Sequence, residues 1–437
     1  MVALTRPVSG DTSYNSYRHS RGAGPGAQTL SQVEALVSPT GQELLDRLAR
    51  VDVTPETELR VGALLRRDYP AELVTAALGQ HELRRRAQAK FTRAERMYFT
   101  RAGLEQATSE VIARHRAARF AGALRVADLC CGIGGDLIAL ADRREVLAVD
   151  RDVLHLRMAT LNTDAYGVAD GVHVVHADVR DVDLSGVDAV FIDPARRARG
   201  HRMRVGACEP PLSWSTSLVD RVEAVGIKAA PGIAHDEIPA GWEVEFIADR
   251  RDLKEAALWS PALAAGTRRA TILPAGHVLL PRPGAEVAHR SPGAFLLDPN
   301  PAVTRAGLVE DLARGLGAWK IDPQIAFLSS DEPLRTPFAR TLRVLDSGPW
   351  DQKALTPRLR ALDIGSIDIR RRGLAGDVED LHRQLKLRGT RRATLVMTRV
   401  NDRPWALICV DPDPVHPDHA AVSGTGRAIT AQAKDGC

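Results

Sequence analysis

Between Arg125 and Pro274 short apolar runs alternate with amphipathic stretches, and no other feature of this chain narrows its fold as far. A run such as "RVADL" (125–129) is too short for a buried helix and the right length for a buried strand. Strand, helix and parallel strand make one βαβ unit, and repeating the unit builds a sheet with helices on both faces. Seven strands are expected: 125–129, 146–149, 172–176, 187–192, 225–229, 243–248 and 269–274. The last two stand too close for a full helical crossover, which predicts an antiparallel edge. The helix between the second and third strands is well marked. Leu154, Met158, Leu161 and Ala165 recur at helical spacing, Asp152 stands at the cap, and Gly167 stands where a left-handed stop is wanted.

At 437 residues the chain is too long for one ordinary core. Residues 1–30 are polar, Gly-rich and aperiodic, and are expected to be disordered. Residues 31–100 read as a helical domain, 101–275 as the sheet domain, and 276–345 as a bridging α/β segment. Residues 346–412 read as a small α+β domain, with a strand at 366–372, a helix at 378–387 and a hairpin of 393–399 with 405–410. Residues 413–437 read as a flexible tail.

With 44% hydrophobic and 26% charged residues the composition is that of a soluble globular protein. No apolar run nears the ~20 residues of a membrane helix, and the N-terminus lacks an apolar signal region. No membrane partner is expected. The five cysteines are odd in number and form no C-x-x-C pair, which argues against a disulfide framework or a zinc site and for the cytoplasm. The 13 histidines show no H-E-x-x-H spacing, so no metal is expected. The net charge of +4 demands no polyanion partner, although Arg supplies 52 of the 59 basic residues.

The turn "DLCCGIGGDLIAL" (128–140) joins the first strand to a helix. A dinucleotide fingerprint needs G-x-G-x-x-G, whereas Gly132, Gly134 and Gly135 are followed by Leu137 at the last glycine's place. Asp128, at the strand's end, would repel a pyrophosphate and attract an ammonium or a sulfonium. Asp150 ends the second strand, where ribose hydroxyls would be accepted, and Asp178 follows the third, where an adenine amino group would lie. Three carboxylates at successive strand ends describe a pocket for a cationic nucleoside, S-adenosylmethionine. Strand-end acids are common caps and Gly-rich turns are common; it is their coincidence that points to a ligand.

The stretch from Val126 to Val179 resembles the class I methyltransferase core, in the D-x-x-C-G-x-G-G-[ND] version of trimethylguanosine synthase and its bacterial relatives. Asp128, Cys131, Gly132, Gly134 and Gly135 match the first motif, Asp150 the ribose-binding acid, and Asn162 with Tyr166 and Gly167 the following helix. The resemblance implies a Rossmann-like seven-stranded sheet and a cofactor site of Thr108, Asp128, Cys130, Gly132, Gly134, Asp150, Arg151, Asp178 and Val179. Residues 97–115 are similar to the segment that closes over the cofactor, with Gln106 and Thr108 its expected contacts. Segments such as "GIKAAPGI" and "LKEAALWSP" look like those of bacterial proteins that join this core to a C-terminal α+β THUMP-like domain, which implies an RNA substrate, tRNA favoured.

The fourth strand ends in Asp193-Pro194-Ala195-Arg196. Amino-directed methyltransferases carry [NDS]-P-P-[YFW] there, so Asp193, Pro194 and Arg196 are the catalytic candidates, with Arg196, Trp214 or Trp259 standing in for the missing stacking ring. Five arginines (196, 197, 199, 202, 204) follow within nine positions and suit RNA phosphates, although such runs are more often solvated faces. Residues 351–411 add 13 basic against 8 acidic residues. Lys228, Lys254 and Glu255 fall near strand ends, as crevice residues or as a core-edge ion pair. Cys130 and Cys131 lie under the methionine end, a poor place for a nucleophile; Cys208 is better placed. A small-molecule methyltransferase and a catalytically silent RNA-binding protein are the competing readings.

Overall fold

The structure is a computed structural model that describes residues 29–412 except 196, 199–200, 203–207, 375–377 and 386. Two compact units divide the chain, residues 1–83 with 99–105 and residues 84–98 with 106–437.

The smaller unit is helical. Helix α1 (Leu30–Val37) starts in a capping box, in which Gln32 N–H donates to Thr29 Oγ1 (3.3 Å) and Thr29 N–H to Gln32 Oε1 (3.0 Å). Helix α2 (Pro39–Ala49) follows at once, capped by Ser38 with Pro39 in its first turn. At Gly41 a Cβ would fall 2.2 Å from Ala35 O, so only glycine lets the two helices meet this closely. Val33, Leu36, Leu44 and Leu48 are buried to 1% exposure or less.

The larger unit contains two large sheets and a two-stranded ribbon in which Arg197–Ala198 pairs with His201–Arg202. In the first, β1 (Arg125–Leu129), β2 (Glu145–Asp150), β3 (Val172–His176), β4 (Ala189–Ile192) and β5 (Ala224–Ala229) run parallel in the order β3-β2-β1-β4-β5. The expected α/β class and Rossmann-like order are present. Beyond β5 lie β7 (Asp252–Trp259), then β6 (Glu243–Asp249), β8 (Arg268–Leu273) and β9 (His277–Leu279), which makes nine strands rather than seven. Two strands are antiparallel: β7, wedged between β5 and β6, and β9, which pairs with β8 at the edge. The sheet thus ends in an antiparallel edge as expected, but one strand later, because β8 itself runs parallel to β6. Segment 252–259 does not announce itself because Asp252, Lys254 and Glu255 interrupt its apolar run; in the fold Glu255 is only 3% exposed.

Helix α8 (Val153–Tyr166) forms as expected, with Asp152 accepting from Leu154 N–H (2.9 Å) and Gly167 in the left-handed region at φ 71°. With α6 (Glu110–Ala117) and α7 (Leu137–Leu140) it covers one face of the sheet, around Phe120, Phe191 and Trp259. The other face is continuous with the segment that follows: Ala302 and Val303 of helix α10 (Pro301–Arg305), Leu308 before helix α11 (Val309–Leu316) and Leu312 within it share one core with Phe246 and Ile272.

The second sheet contains β10 (Phe295–Pro299), β11 (Trp319–Lys320), β12 (Leu328–Ser330), β13 (Ala339–Pro349), β14 (Ile364–Arg371), β15 (Arg391–Val400) and β16 (Arg403–Val410). Their order is β11-β12-β10-β13-β16-β15-β14. The expected division at 345/346 falls inside β13, at its bulge between Val344 and Asp346. The expected hairpin is present with a tighter turn: Asn401 and Asp402, at φ 49° and 65°, make the whole connection, and Arg403 and Pro404 pair within the sheet. Much of the basic excess here is spent internally. Arg340 pairs with Asp411 (2.7 Å), Arg392 with Asp368 (2.8 Å), and Asp298 accepts from both Arg251 and Arg372 at 2.9 Å.

Among the described residues no helix is long and apolar enough to cross a membrane, and no cluster of His, Cys, Asp or Glu is arranged to hold a metal ion.

Candidate active site

The glycine turn takes its shape from close approaches. Cys130, Gly132 and Gly134 stand at φ 63°, 55° and 90°. At Gly134 a Cβ would press on Ala159 Cα of α8 at 3.3 Å, and at Gly135 it would lie 3.2 Å from both N and O of Thr108. The turn is therefore clamped between α8 and the backbone of Thr108. Asn162, fully buried on α8, fastens the turn to Tyr98: its Oδ1 accepts from Tyr98 N–H (2.7 Å), and its Nδ2 donates to Tyr98 O (3.0 Å) and Ile133 O (2.8 Å).

The three expected acids stand at the carboxyl ends of β1, β2 and β3. Asp150 accepts from Gly132 N–H and Asp152 N–H, both at 2.9 Å, so it braces the turn. Asp178 accepts from Arg180 N–H (3.0 Å) and from the Arg180 guanidinium (3.1 Å), and Val179 beside it is buried. Arg151 is exposed. Asp128 is the anomaly: it is 1% exposed and neither carboxylate oxygen has a hydrogen-bond partner. Burial, reinforced by the charges of Asp136 and Asp193, pushes its carboxyl well above the usual range.

A buried network surrounds Asp128. Arg116, 1% exposed, donates to Thr108 Oγ1 (2.8 Å) and to Asp136, lies 3.1 Å from Glu255 Oε1, and stacks 4.6 Å from the Phe191 ring centre. Lys228, at the end of β5, donates to the same Thr108 Oγ1 (2.9 Å) and to Asp193 Oδ2 (2.6 Å). Two cations thus face four carboxylates: Asp128, Asp136, Asp193 and Glu255. Burial first, then Asp136 and Asp193, raises the Glu255 carboxyl against the pull of Arg116 and Lys228. The cluster is short of positive charge, and both Asp128 oxygens in it are unsatisfied.

Asp193 extends β4 by donating its N–H to Leu129 O (3.2 Å), Pro194 is buried, and Ala195 pairs with Glu209 through both backbone groups at 2.9 Å. The Glu209 carboxylate bonds Arg180, tying this segment to Asp178. Arg196 lies outside the described residues, as do Arg199 and Arg204; the side chains of Arg197 and Arg202 are likewise not described.

Several expected residues stand elsewhere. Trp259 cannot stack on a base: it is fully buried, wedged against Gly226 and Phe120, and donates its indole N–H to Glu245 (2.9 Å). Trp214 is half-buried against the core. Lys254 pairs with Asp252, outside the network, and Gln106 is exposed. Burial pushes the thiols of Cys130 and Cys131 upward, which opposes a nucleophilic role for either, and that of the half-buried Cys208 rises too. Sequence reasoning missed Arg116 and Asp136; the run Arg114-His115-Arg116 carries no sign of which residue turns inward.

Family models match three stretches: a domain of unknown function over residues 29–87, RNA cap guanine-N2 methyltransferase over 123–209, and THUMP domain-like over 339–410. Two relatives, from two strains of Mycobacterium tuberculosis, each bear the name uncharacterized S-adenosylmethionine-dependent methyltransferase. Each is 38% identical over 336 residues, spanning 73% of this chain and 90% of the relative. The crystal structure of a candidate methyltransferase from Porphyromonas gingivalis W83 shares the fold, with a TM-score of 0.68 and 21% identity over 85% of this chain and 99% of that one.

Proposed function

Because the chain belongs to the S-adenosylmethionine-dependent methyltransferases, we propose that it methylates a base nitrogen of RNA, tRNA above all. S-adenosylmethionine is the cofactor, and the observation that carries the reading is Asp128: a buried carboxylate with both oxygens unpartnered, in a cluster short of cations, suits a cationic ligand. Asp128 and the glycine turn would hold the methionine end, Asp150 the ribose hydroxyls, and Asp178 with Val179 the adenine. Cys130, Gly132, Gly134, Arg151 and Thr108 would complete the wall.

When bound, the cofactor supplies an electrophilic methyl group whose carbon–sulfur electron pair returns to sulfur on transfer, so little acid–base work is needed. The chain's own residues orient the acceptor. Asp193 Oδ2 is taken by Lys228, which leaves Oδ1 to accept an N–H of the acceptor nitrogen and aim its lone pair. Ala195 O is committed to Glu209, so the Pro194 carbonyl is the backbone acceptor next to Asp193. The proton that the methylated nitrogen sheds passes to Asp193, whose side chain is 28% exposed, and on to water. The matches to RNA cap guanine-N2 methyltransferase and to THUMP domain-like sequences support RNA as substrate. So do exposed Arg360, Arg370, Arg391 and Arg403 in the second sheet's region.

The test is transfer of labelled methyl groups from S-adenosylmethionine into bulk tRNA from a strain lacking the gene, followed by nuclease digestion and mass spectrometry. A methylated nucleoside absent from the unreacted tRNA is the expected result. Cofactor binding with no incorporation into any RNA fraction would overturn the RNA reading and favour a small-molecule acceptor or a silent RNA-binding protein.

A further inference from the structure

Lys228 is buried, with a side chain 6% exposed, and its ammonium spends two of its three protons on groups of different origin. One goes to Asp193 Oδ2 at 2.6 Å, at the end of β4; the other goes to Thr108 Oγ1 at 2.9 Å, on the segment clamped over the glycine turn. Thr108 Oγ1 also accepts from Arg116, which in turn bonds Asp136. A chain of hydrogen bonds therefore runs from the acid that would meet the methyl acceptor to the residues that would wall the cofactor.

We infer that Lys228 is a positioning residue for methyl transfer, fixing the Asp193 carboxylate in one rotamer and registering it against the cofactor-side segment through Thr108. The inference rests on the methyltransferase reading of Asp193. Stability alone does not explain a lysine here. A buried ammonium is costly, and replacing a whole buried ion pair by apolar side chains is often neutral or stabilising. Asp193 is open enough to water not to be stranded when its partner is lost. The lysine is better explained by what it orients. Its ammonium also blocks one edge of Asp193, so an acceptor nitrogen meets a single oxygen rather than a choice of two. That restriction aims one lone pair in the way positioning catalysis requires.

Lys228→Met, Lys228→Arg and the wild type are to be compared in four measurements: thermal melting, calorimetric S-adenosylmethionine binding, single-turnover transfer into tRNA from the deletion strain, and crystals with S-adenosylhomocysteine. For Lys228→Met the melting temperature is expected to fall, because Asp193 and the buried Glu255 lose a cation, while cofactor Kd, measured where the variant is folded, stays close to wild type. Its transfer rate falls about 100-fold, the size of an orientation loss, with little change in half-saturation by tRNA, and Asp193 spreads over several rotamers in the crystals. Lys228→Arg restores part of the rate. A wild-type rate in folded Lys228→Met, a rate loss confined to temperatures at which the variant melts, or an unmoved Asp193 overturns the inference. If the wild type itself methylates no RNA, the RNA reading fails, and the Asp193 rotamer in Lys228→Met crystals still decides the positioning role.

Discussion

Asp128→Asn is expected to stabilise the cofactor-free protein while weakening cofactor binding, opposite signs that a merely structural aspartate would not produce. Burial, with Asp136 and Asp193 adding like charge, raises the Asp128 carboxyl in the folded chain. Once pH exceeds about 4, the unfolded chain has released a proton that the folded chain still holds. Stability therefore falls as pH rises, by at most about 1.4 kcal/mol per unit, until the folded-state pKa is passed. The amide has no such slope. The variant's gain should be near zero below pH 4 and grow with pH until the folded-state pKa is passed, by at most about 1.4 kcal/mol per unit. A charge-assisted contact contributes about 1.5–3 kcal/mol, so cofactor Kd should rise about 10- to 150-fold. Melting curves and calorimetric titrations from pH 5 to 8 measure both. Wild-type affinity should climb with pH as the carboxylate ionises, and the variant's should stay flat. Wild-type affinity in Asp128→Asn, or destabilisation at every pH, would refute the reasoning.

Gly226→Ala places a Cβ 2.6 Å from Trp259 Cζ3 and 2.9 Å from Phe120 Cζ; overpacking of about 1–3 kcal/mol is expected in urea melts. Asn162→Ala removes three buried hydrogen bonds that join α8 to Tyr98 and Ile133; it should cost about 1–3 kcal/mol and loosen cofactor binding, read by melting and calorimetry. Burial alone would raise the Glu245 carboxyl, but hydrogen bonds from His115 and Thr271, with His115 and Arg269 nearby, bring it down to about 2. Its contribution of up to roughly 3 kcal/mol is present above the unfolded pKa near 4.3 and is lost as pH falls toward 2. Glu245→Gln should flatten that part of the acid-unfolding curve.

The elements and residues legible in the linear chain are those whose cause is local. β1 to β5 are short apolar runs between amphipathic stretches, and α8 carries both its cap and its stop within its own sequence. The glycine turn and the acids at three strand ends could be placed because a parallel sheet puts every strand's carboxyl end on one edge. What escaped depends on partners far along the chain. β7 is a strand because β5 and β6 supply its hydrogen bonds, not because its residues alternate. Trp259 looks free for stacking until Gly226, 33 positions earlier, makes room for its ring. Lys228 and Asp193, read as separate strand-end residues, become one unit at 2.6 Å, and Arg116 joins them from a helix whose three consecutive basic residues look alike. Periodicity and turn chemistry are encoded in neighbours. Which charge is buried, and against what, is decided only when distant segments compete for the same low-dielectric space.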